Sequence, residues 1–228
     1  LLSVSLIFAS TMRILKNIRA LLSSGAGIVV GMPDATSMDD PMALFETWFA
    51  AARKSGLFLP EAVTVASSTP EGKPSARMVL LKTADERGFV FYTNYESRKA
   101  GELDANPNVA LLFHWPILQR QVRVEGRVER VSREETAEYY HSRPRGSQIG
   151  AWASKQSSPL DKRSTLEERV KELEFRFDGK DIPLPDHWGG YLVIPDRIEF
   201  WQGRPFRLHD RIIFERSESG WETHRLYP

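Results

Sequence analysis

Four short stretches carry residue types able to bind a charged ligand. In "ARMVLLK" (76–82), Arg77 and Lys82 bracket an apolar ribbon. Alternate residues of a strand share a face. Arg77, Val79 and Leu81 therefore point one way, and Met78, Leu80 and Lys82 the other. A single charge inside an apolar strand is costly to bury without a partner. Either both cations lie at exposed strand ends, or each serves an anion on its own side. In "FYTNYESRK" (91–99), a strand ends at Thr93-Asn94, and Ser97-Arg98-Lys99 opens a helix. Backbone N–H groups at a helix start attract phosphate, and adjacent Arg and Lys strengthen such a site. Alone, that triplet is weak evidence, because solvated basic pairs are common.

"EYYHSRPRGSQIGAWASKQSS" (138–158) gathers Tyr139, Arg143, Arg145, Ser147, Gln156, Ser157 and Ser158. Hydroxyl, amide and guanidinium donors together are what a phosphate ester requires. The bland alternative is a polar connector. Its length and its enclosed Trp152 argue against a pure linker, since long loops in compact domains are usually functional. In "EFWQGRPFRLHDR" (199–211), Trp201 can cover a flat heteroaromatic ring, and Arg207, His209 and Arg211 alternate. On an extended segment these three share a face and repel one another unless an anion sits among them. The four stretches together predict two phosphate sites with aromatic stacking. That pattern suits a phosphorylated cofactor and a phosphorylated substrate.

The bulk numbers narrow the classes. The 228 residues carry a net charge of +1, from 31 basic and 30 acidic side chains. Nucleic-acid and membrane-surface binding call for a basic excess, so neither is expected. There is no cysteine, which excludes disulfides, thiolate metal sites and cysteine nucleophiles and fits a reducing, cytoplasmic compartment. The five histidines show no metal-binding spacing, so no metal is expected.

These residues need elements to place them. Residues 1–38 stand apart as a leader, disordered or targeting-like, with Arg13, Lys16 and Arg19 and no acid before Asp34. Folding is expected over 39–228. "MDDPMALFETWFAAARKSG" predicts a helix with Asp40 as cap, Pro41 in its first position and Gly56 at its end. Strands are predicted at 62–68, 74–82, 89–94, 108–115 and 120–131, with Gly126 as a bulge. Helices are predicted from Ser132, whose Ser-Arg-Glu-Glu reads as a capping box, around Gln148, and from Ser164 to Phe177. Four more strands follow: "GGYLVIP", "RIEFWQG", "DRIIFER" and "WETHRLY", the last two joined by the turn "SESG". The fold class expected is mainly β with flanking helices (α+β), closed or nearly closed into a barrel.

Over residues 40–228 these segments resemble the pyridoxine (pyridoxamine) 5′-phosphate oxidase family. The strings "ARMVLLK", "FYTNYESRK", "RQVRVEG", "YYHSRPRGSQIGAWASKQSS", "HWGGYLVIP", "EFWQG" and "RLHDR" carry the resemblance. It implies the FMN-binding split β-barrel, working as a homodimer with flavin at the interface. It assigns Arg77, Met78, Val79, Leu80, Tyr92, Thr93, Arg98, Lys99, Gln121, Gln156, Ser157, Trp201 and Arg211 to FMN. Lys82, Tyr139, Arg143 and Ser147 would hold the substrate phosphate, with Arg207, Leu208 and His209 over its ring and Arg207 and His209 as the catalytic pair. The implied reaction oxidises pyridoxine 5′-phosphate or pyridoxamine 5′-phosphate to pyridoxal 5′-phosphate, with O2 as acceptor and H2O2 as product. Two departures stand out. The family's N-terminal Arg-Arg/Lys-x-Tyr lid motif has no counterpart here, and its "RLAP" ending reads "RLYP" (225–228). A split-barrel oxidase of phenazine type, or a carrier that has lost turnover, are the competing readings.

Overall fold

Asp40 begins the described structure, a computed structural model covering residues 40–228. The leader (1–38) and the missing lid motif lie outside the described residues. The Asp40 carboxylate accepts the Met42 N–H at 2.8 Å, and Pro41 opens helix α1 (Pro41–Lys54). A proline there loses no hydrogen bond and has the backbone angle the helix needs. The chain then divides into two compact units.

The first unit holds residues 40–60, Leu112–Val124 and Arg197–Pro228. Its core is aromatic. Phe45 of α1 meets Phe113 edge-on at 5.0 Å, and Trp48 meets Phe200 at 5.2 Å. Such pairs add about 0.5–1.5 kcal/mol each beyond the area they bury. The hairpin β7 (Asp210–Ser217) and β8 (Gly220–Arg225) closes this unit, turning at Ser217–Gly220 as the sequence predicts.

The second unit holds Glu61–Leu111 and Glu125–Asp196. It contains β1 (Ala62–Ser68), β2 (Pro74–Asp85), β3 (Gly88–Asn94) and α2 (Arg98–Ala105). Helices α3 (Arg133–Ser142), α4 (Arg145–Ala153) and α5 (Arg163–Arg176) follow. Strands β4 (Asn108–Trp115), β5 (Arg120–Arg130) and β6 (Trp188–Gln202) contribute residues to both units. The order β3-β2-β1-β4-β5-β6, closed by β3 pairing with β6, makes a six-stranded antiparallel barrel. Tyr140, Ile149, Leu173, Phe177, Ile182 and Trp188 form a buried cluster that ties the helices to the start of β6.

Four local features differ from the sequence reading. "GGYLVIP" and "RIEFWQG" form one strand, β6. Its ladder with β3 ends at Val193 and its ladder with β7 begins at Arg197, so Pro195 costs a bond in neither. Strand β2 runs on to Asp85, with a register shift between Leu81 and Thr83 that leaves Lys82 in a bulge. The Ser132 hydroxyl caps α3 by accepting the Glu135 N–H at 3.0 Å. The Glu135 carboxylate, however, pairs with Arg87 at 2.9 Å and does not complete the box. Helix α5 starts one residue early, with Lys162 at its cap position and no side-chain cap.

Gly126 and Gly190 are among the glycines fixed by close approach. A Cβ on Gly126 would lie 2.0 Å from the Ile194 carbonyl oxygen. On Gly190, opposite Tyr92 in the β3–β6 ladder, it would lie 2.8 Å from the Tyr92 ring and 2.7 Å from Val131. The Tyr92 ring cannot swing aside freely, because it stacks on Tyr139 at 4.2 Å and on Trp188 at 5.4 Å. Gly190→Ala is therefore expected to destabilise the protein by about 1–3 kcal/mol, the usual cost of overpacking. Urea unfolding checks this, and an unchanged midpoint would contradict it.

Candidate active site

A cavity of about 600 Å³ opens in the barrel unit. That size suits a small-molecule site. Strand β2 lines it with Met78, Val79, Leu80 and Lys82, and strand β3 with Tyr92, Thr93 and Asn94. Helix α2 adds Lys99, helices α3 and α4 with their junction add Tyr139, Arg143 and Ser147, and the segment after α4 adds Gln156. Trp188, at the start of β6, completes the aromatic part of the wall. The lining thus has three cationic side chains, Lys82, Lys99 and Arg143, and no acid among the described residues.

Lys99 is the most telling of them. Ser97 caps α2 by accepting the Ala100 N–H, which fixes the first helical turn and points Lys99 inward. The ammonium is buried and donates to Gln156 Oε1 at 2.6 Å, Thr93 Oγ1 at 2.8 Å and Ser97 Oγ at 3.2 Å. All three acceptors are neutral. Burial, with the Arg77 charge adding to it, pushes the Lys99 ammonium down to about 8. A buried cation without a counter-ion is poised to take an anion.

Arg143 repeats the pattern about the second group of donors. Its guanidinium lies 4.5 Å from the Trp188 ring centre, and its buried Nη1 has no hydrogen-bond partner among the described residues. Burial shifts its pKa downward. Lys82 Nζ stands 5.8 Å from the Tyr139 ring. Tyr92, Tyr139 and Trp188 form a stack whose closest pair is 4.2 Å apart. Burial pushes the Tyr92 hydroxyl up to about 12, so it stays protonated as a donor.

Several expected residues are not part of this lining. Arg77 does not line the cavity. It donates to Val65 O, Ser67, Ser75 and Glu102. Arg98 pairs with Glu102 through Nε at 2.8 Å. Ser157 adopts φ 70° beside Gln156 and is not in the lining. Gln121, Trp201, Arg207, Leu208, His209 and Arg211 belong to the first unit.

The shared face expected of Arg207, His209 and Arg211 does not form. Pro205–Arg207 is a 3-10 turn, with Phe206 and Arg207 at φ 58° and 64°, and extended structure resumes only at Asp210. Arg211 finds its anion in Glu199 at 2.8 Å, and Glu199 also binds Arg123 at 2.8 Å. His209 Nδ1 accepts the Arg204 N–H at 3.1 Å, so its neutral ring carries the proton on Nε2. Its ring lies 4.5 Å from Trp201. Burial, and then the charge of Arg207, lower the His209 pKa.

Sequence reasoning missed Trp188 and Asn94. The available signal for Trp188 was the pair Gly189-Gly190 behind it, since adjacent glycines in a strand mark a close approach. Asn94 holds Ser154 O at 3.3 Å and caps the Glu96 N–H at 2.6 Å. Nothing in its immediate sequence distinguishes it from an ordinary turn residue.

Comparison with known proteins agrees with this architecture. Residues 50–177 match the family described as pyridoxamine 5′-phosphate oxidase. Residues 188–228 match the pyridoxine 5′-phosphate oxidase C-terminal dimerisation region. A pyridoxine/pyridoxamine 5′-phosphate oxidase of Psychromonas ingrahamii is 53% identical over 95% of this chain and 100% of its own length. One of Rubrobacter xylanophilus is 56% identical over 87% of this chain and 91% of its own. Among solved structures, PhzG from Burkholderia lata 383, in complex with tetrahydrophenazine-1-carboxylic acid, superposes with a TM-score of 0.84 at 29% identity. That match spans 90% of this chain and all of PhzG. A pyridoxamine 5′-phosphate oxidase-related, FMN-binding protein of Nostoc punctiforme shares the fold at TM-score 0.68 and 15% identity, over 83% of this chain and 98% of that one. With both sequence regions matched in order and the barrel in place, the chain belongs to the pyridoxine/pyridoxamine 5′-phosphate oxidase family, split-barrel flavoproteins that act as oxidoreductases.

Proposed function

We propose that this enzyme oxidises pyridoxine 5′-phosphate and pyridoxamine 5′-phosphate to pyridoxal 5′-phosphate, with FMN as cofactor, as a homodimer in the cytoplasm. The observation that carries this reading is one cavity that, among the described residues, is lined by no acid and holds two separate uncompensated cationic groups, one around Lys99 and one around Arg143. Two phosphate esters answer that demand better than one. The cavity fits a flavin mononucleotide. Lys99, flanked by Thr93 and Gln156, supplies charge-assisted donors for its phosphate, and Met78, Val79 and Leu80 offer an apolar wall for its ring. When bound, FMN would take a hydride from the substrate C4′ carbon and pass the electrons to O2, yielding H2O2.

The side chains have the simpler task of alignment. Lys82, Tyr139, Arg143 and Ser147 would hold the substrate phosphate. The resemblance gives Arg77, Arg98, Ser157, Gln121, Trp201 and Arg211 to FMN, with Arg77 reaching its phosphate; here Arg77 pairs with Glu102. It gives Arg207, Leu208 and His209 to the substrate ring. For His209 the support is local: a neutral imidazole with Nε2–H free to donate. For Arg211, its pairing with Glu199 argues for orienting a neighbour rather than supplying net charge. The match of residues 188–228 to a dimerisation region supports the homodimer. Among the described residues no helix is long and apolar enough to cross a membrane.

The test is oxygen consumption by the purified protein with each of the two phosphorylated substrates, with and without added FMN. Uptake that depends on FMN and on the substrate phosphate is expected. A yellow protein that consumes no oxygen with either substrate would contradict the assignment.

A further inference from the structure

We propose that Glu102 is a positioning residue for the cofactor phosphate, one buried carboxylate that locks Arg77 and Arg98 in place. The proposal deepens the FMN reading above and rests on it. Glu102 sits on α2, one turn beyond Arg98, with its side chain 6% exposed. Its two oxygens are divided between the two arginines: Oε1 accepts from Arg98 Nε at 2.8 Å, and Oε2 from Arg77 Nη2 at 3.0 Å. Ser67 and Ser75 hydroxyls also donate to Oε2, the first at 2.6 Å. The same two hydroxyls accept from Arg77. Strand β1 supplies Ser67, β2 supplies Ser75 and Arg77, and α2 supplies the acid, so the network fastens the helix start to two strands.

A carboxylate beside a phosphate site is unexpected on charge alone, because it repels the ligand. Burial by itself would push the Glu102 carboxyl up, but hydrogen bonds from Ser67, Ser75, Arg98 and Arg77 hold it down at about 2. It is therefore negative at every working pH. The two arginines behave differently. Among the described residues, both Nη groups of Arg77 are engaged by its neighbours, whereas Arg98 donates through Nε and has both Nη groups available for a ligand. Without the carboxylate, two guanidiniums and the Lys99 ammonium would crowd one helix start and splay apart. With it, three positive charges less one negative leave a net of two, which matches a phosphate ester dianion. Pre-organised donors spare the ligand the cost of ordering them.

The experiment follows flavin release from the holoenzyme on dilution, read by flavin fluorescence, for FMN and for exchanged-in riboflavin. Glu102→Gln is expected to raise the Kd for FMN at least tenfold and leave that for riboflavin within twofold. Glu102→Asp, which keeps the charge, should recover part of the loss. An FMN affinity unchanged or tightened, or equal weakening for both flavins, would overturn the proposal, the last because it marks a merely structural role. Should Glu102→Gln not fold, Ser75→Ala removes one donor and is expected to weaken FMN alone, about threefold. Loss of both flavins alike, or of neither, would overturn it. A wild-type protein that holds no FMN would instead refute the cofactor reading itself.

Discussion

Replacing Lys99 by methionine is expected to raise the Kd for FMN about a hundredfold, close to 3 kcal/mol at 1.4 kcal/mol per tenfold, while the apo protein keeps or gains thermal stability. Removing one partner of a desolvated charge pair costs about 2–5 kcal/mol, so the binding loss follows from the loss of the ammonium. Stability should not follow, because among the described residues that ammonium is buried against neutral oxygens. Methionine fills a similar volume, and Thr93 still donates to Gln156 Oε1 at 3.1 Å. Isothermal titration and a melting curve separate the two effects. The same residue sets a pH dependence. The apo-state Lys99 pKa is about 8, against an ordinary value of 10.5. Between those values the unfolded chain is protonated and the apo fold is not, so apo stability rises with pH there. A bound phosphate favours the charged ammonium, so FMN binding must take up a proton above pH 8. The FMN Kd should therefore weaken by up to about tenfold per pH unit above 8. A flat profile from pH 7 to 10 would remove Lys99 from the phosphate site.

Replacing Arg143 by methionine should lower kcat/KM for pyridoxine 5′-phosphate by about 100- to 1000-fold, on the order of 3–4 kcal/mol, with the FMN Kd changed less than twofold. The guanidinium is held on the Trp188 face with Nη1 buried and unpartnered, so its donors are aimed before any ligand arrives. Most of the loss should appear in KM, because the phosphate is gripped alike in ground and transition states. Arg143→Lys should not rescue it, since an ammonium lacks the planar fork and stacks poorly on an indole. Steady-state kinetics with pyridoxine 5′-phosphate and with unphosphorylated pyridoxine provide the check. An equal fall for both substrates would mean Arg143 serves the fold rather than the phosphate.

Local rules made much of the scaffold legible. The Asp40-Pro41 start of α1, the Ser97 start of α2 and the strands at 62–68 and 108–115 follow from caps, prolines and β-branched runs acting over a few residues. The donor groups around Lys99 and Arg143 were legible as residue types, and alternation picked out Met78, Leu80 and Lys82, though Val79 from the other face also lines the cavity. What distance in sequence joins was not legible. Thr93 meets Gln156 across 63 positions, and Ser67 meets Glu102 across 35. Arg77 could be read as a strand-end cation or as one serving an anion, but nothing near it in the chain names Glu102 as that anion. Trp201 drew attention as the stacking aromatic, whereas Trp188 is the one in the cavity wall. The alternation from Arg207 to Arg211 failed because two residues at positive φ interrupt the extended backbone on which the rule depends.

The central claim is that one cavity of the barrel holds two phosphate esters on separate cationic groups. A crystal structure of the protein with FMN and pyridoxal 5′-phosphate measures this directly. One phosphate is expected within hydrogen-bond reach of Lys99 and Arg98, and the other within reach of Lys82, Arg143 and Ser147. Either phosphate bound away from its group, or a single phosphate bridging Lys99 and Arg143, would contradict the account.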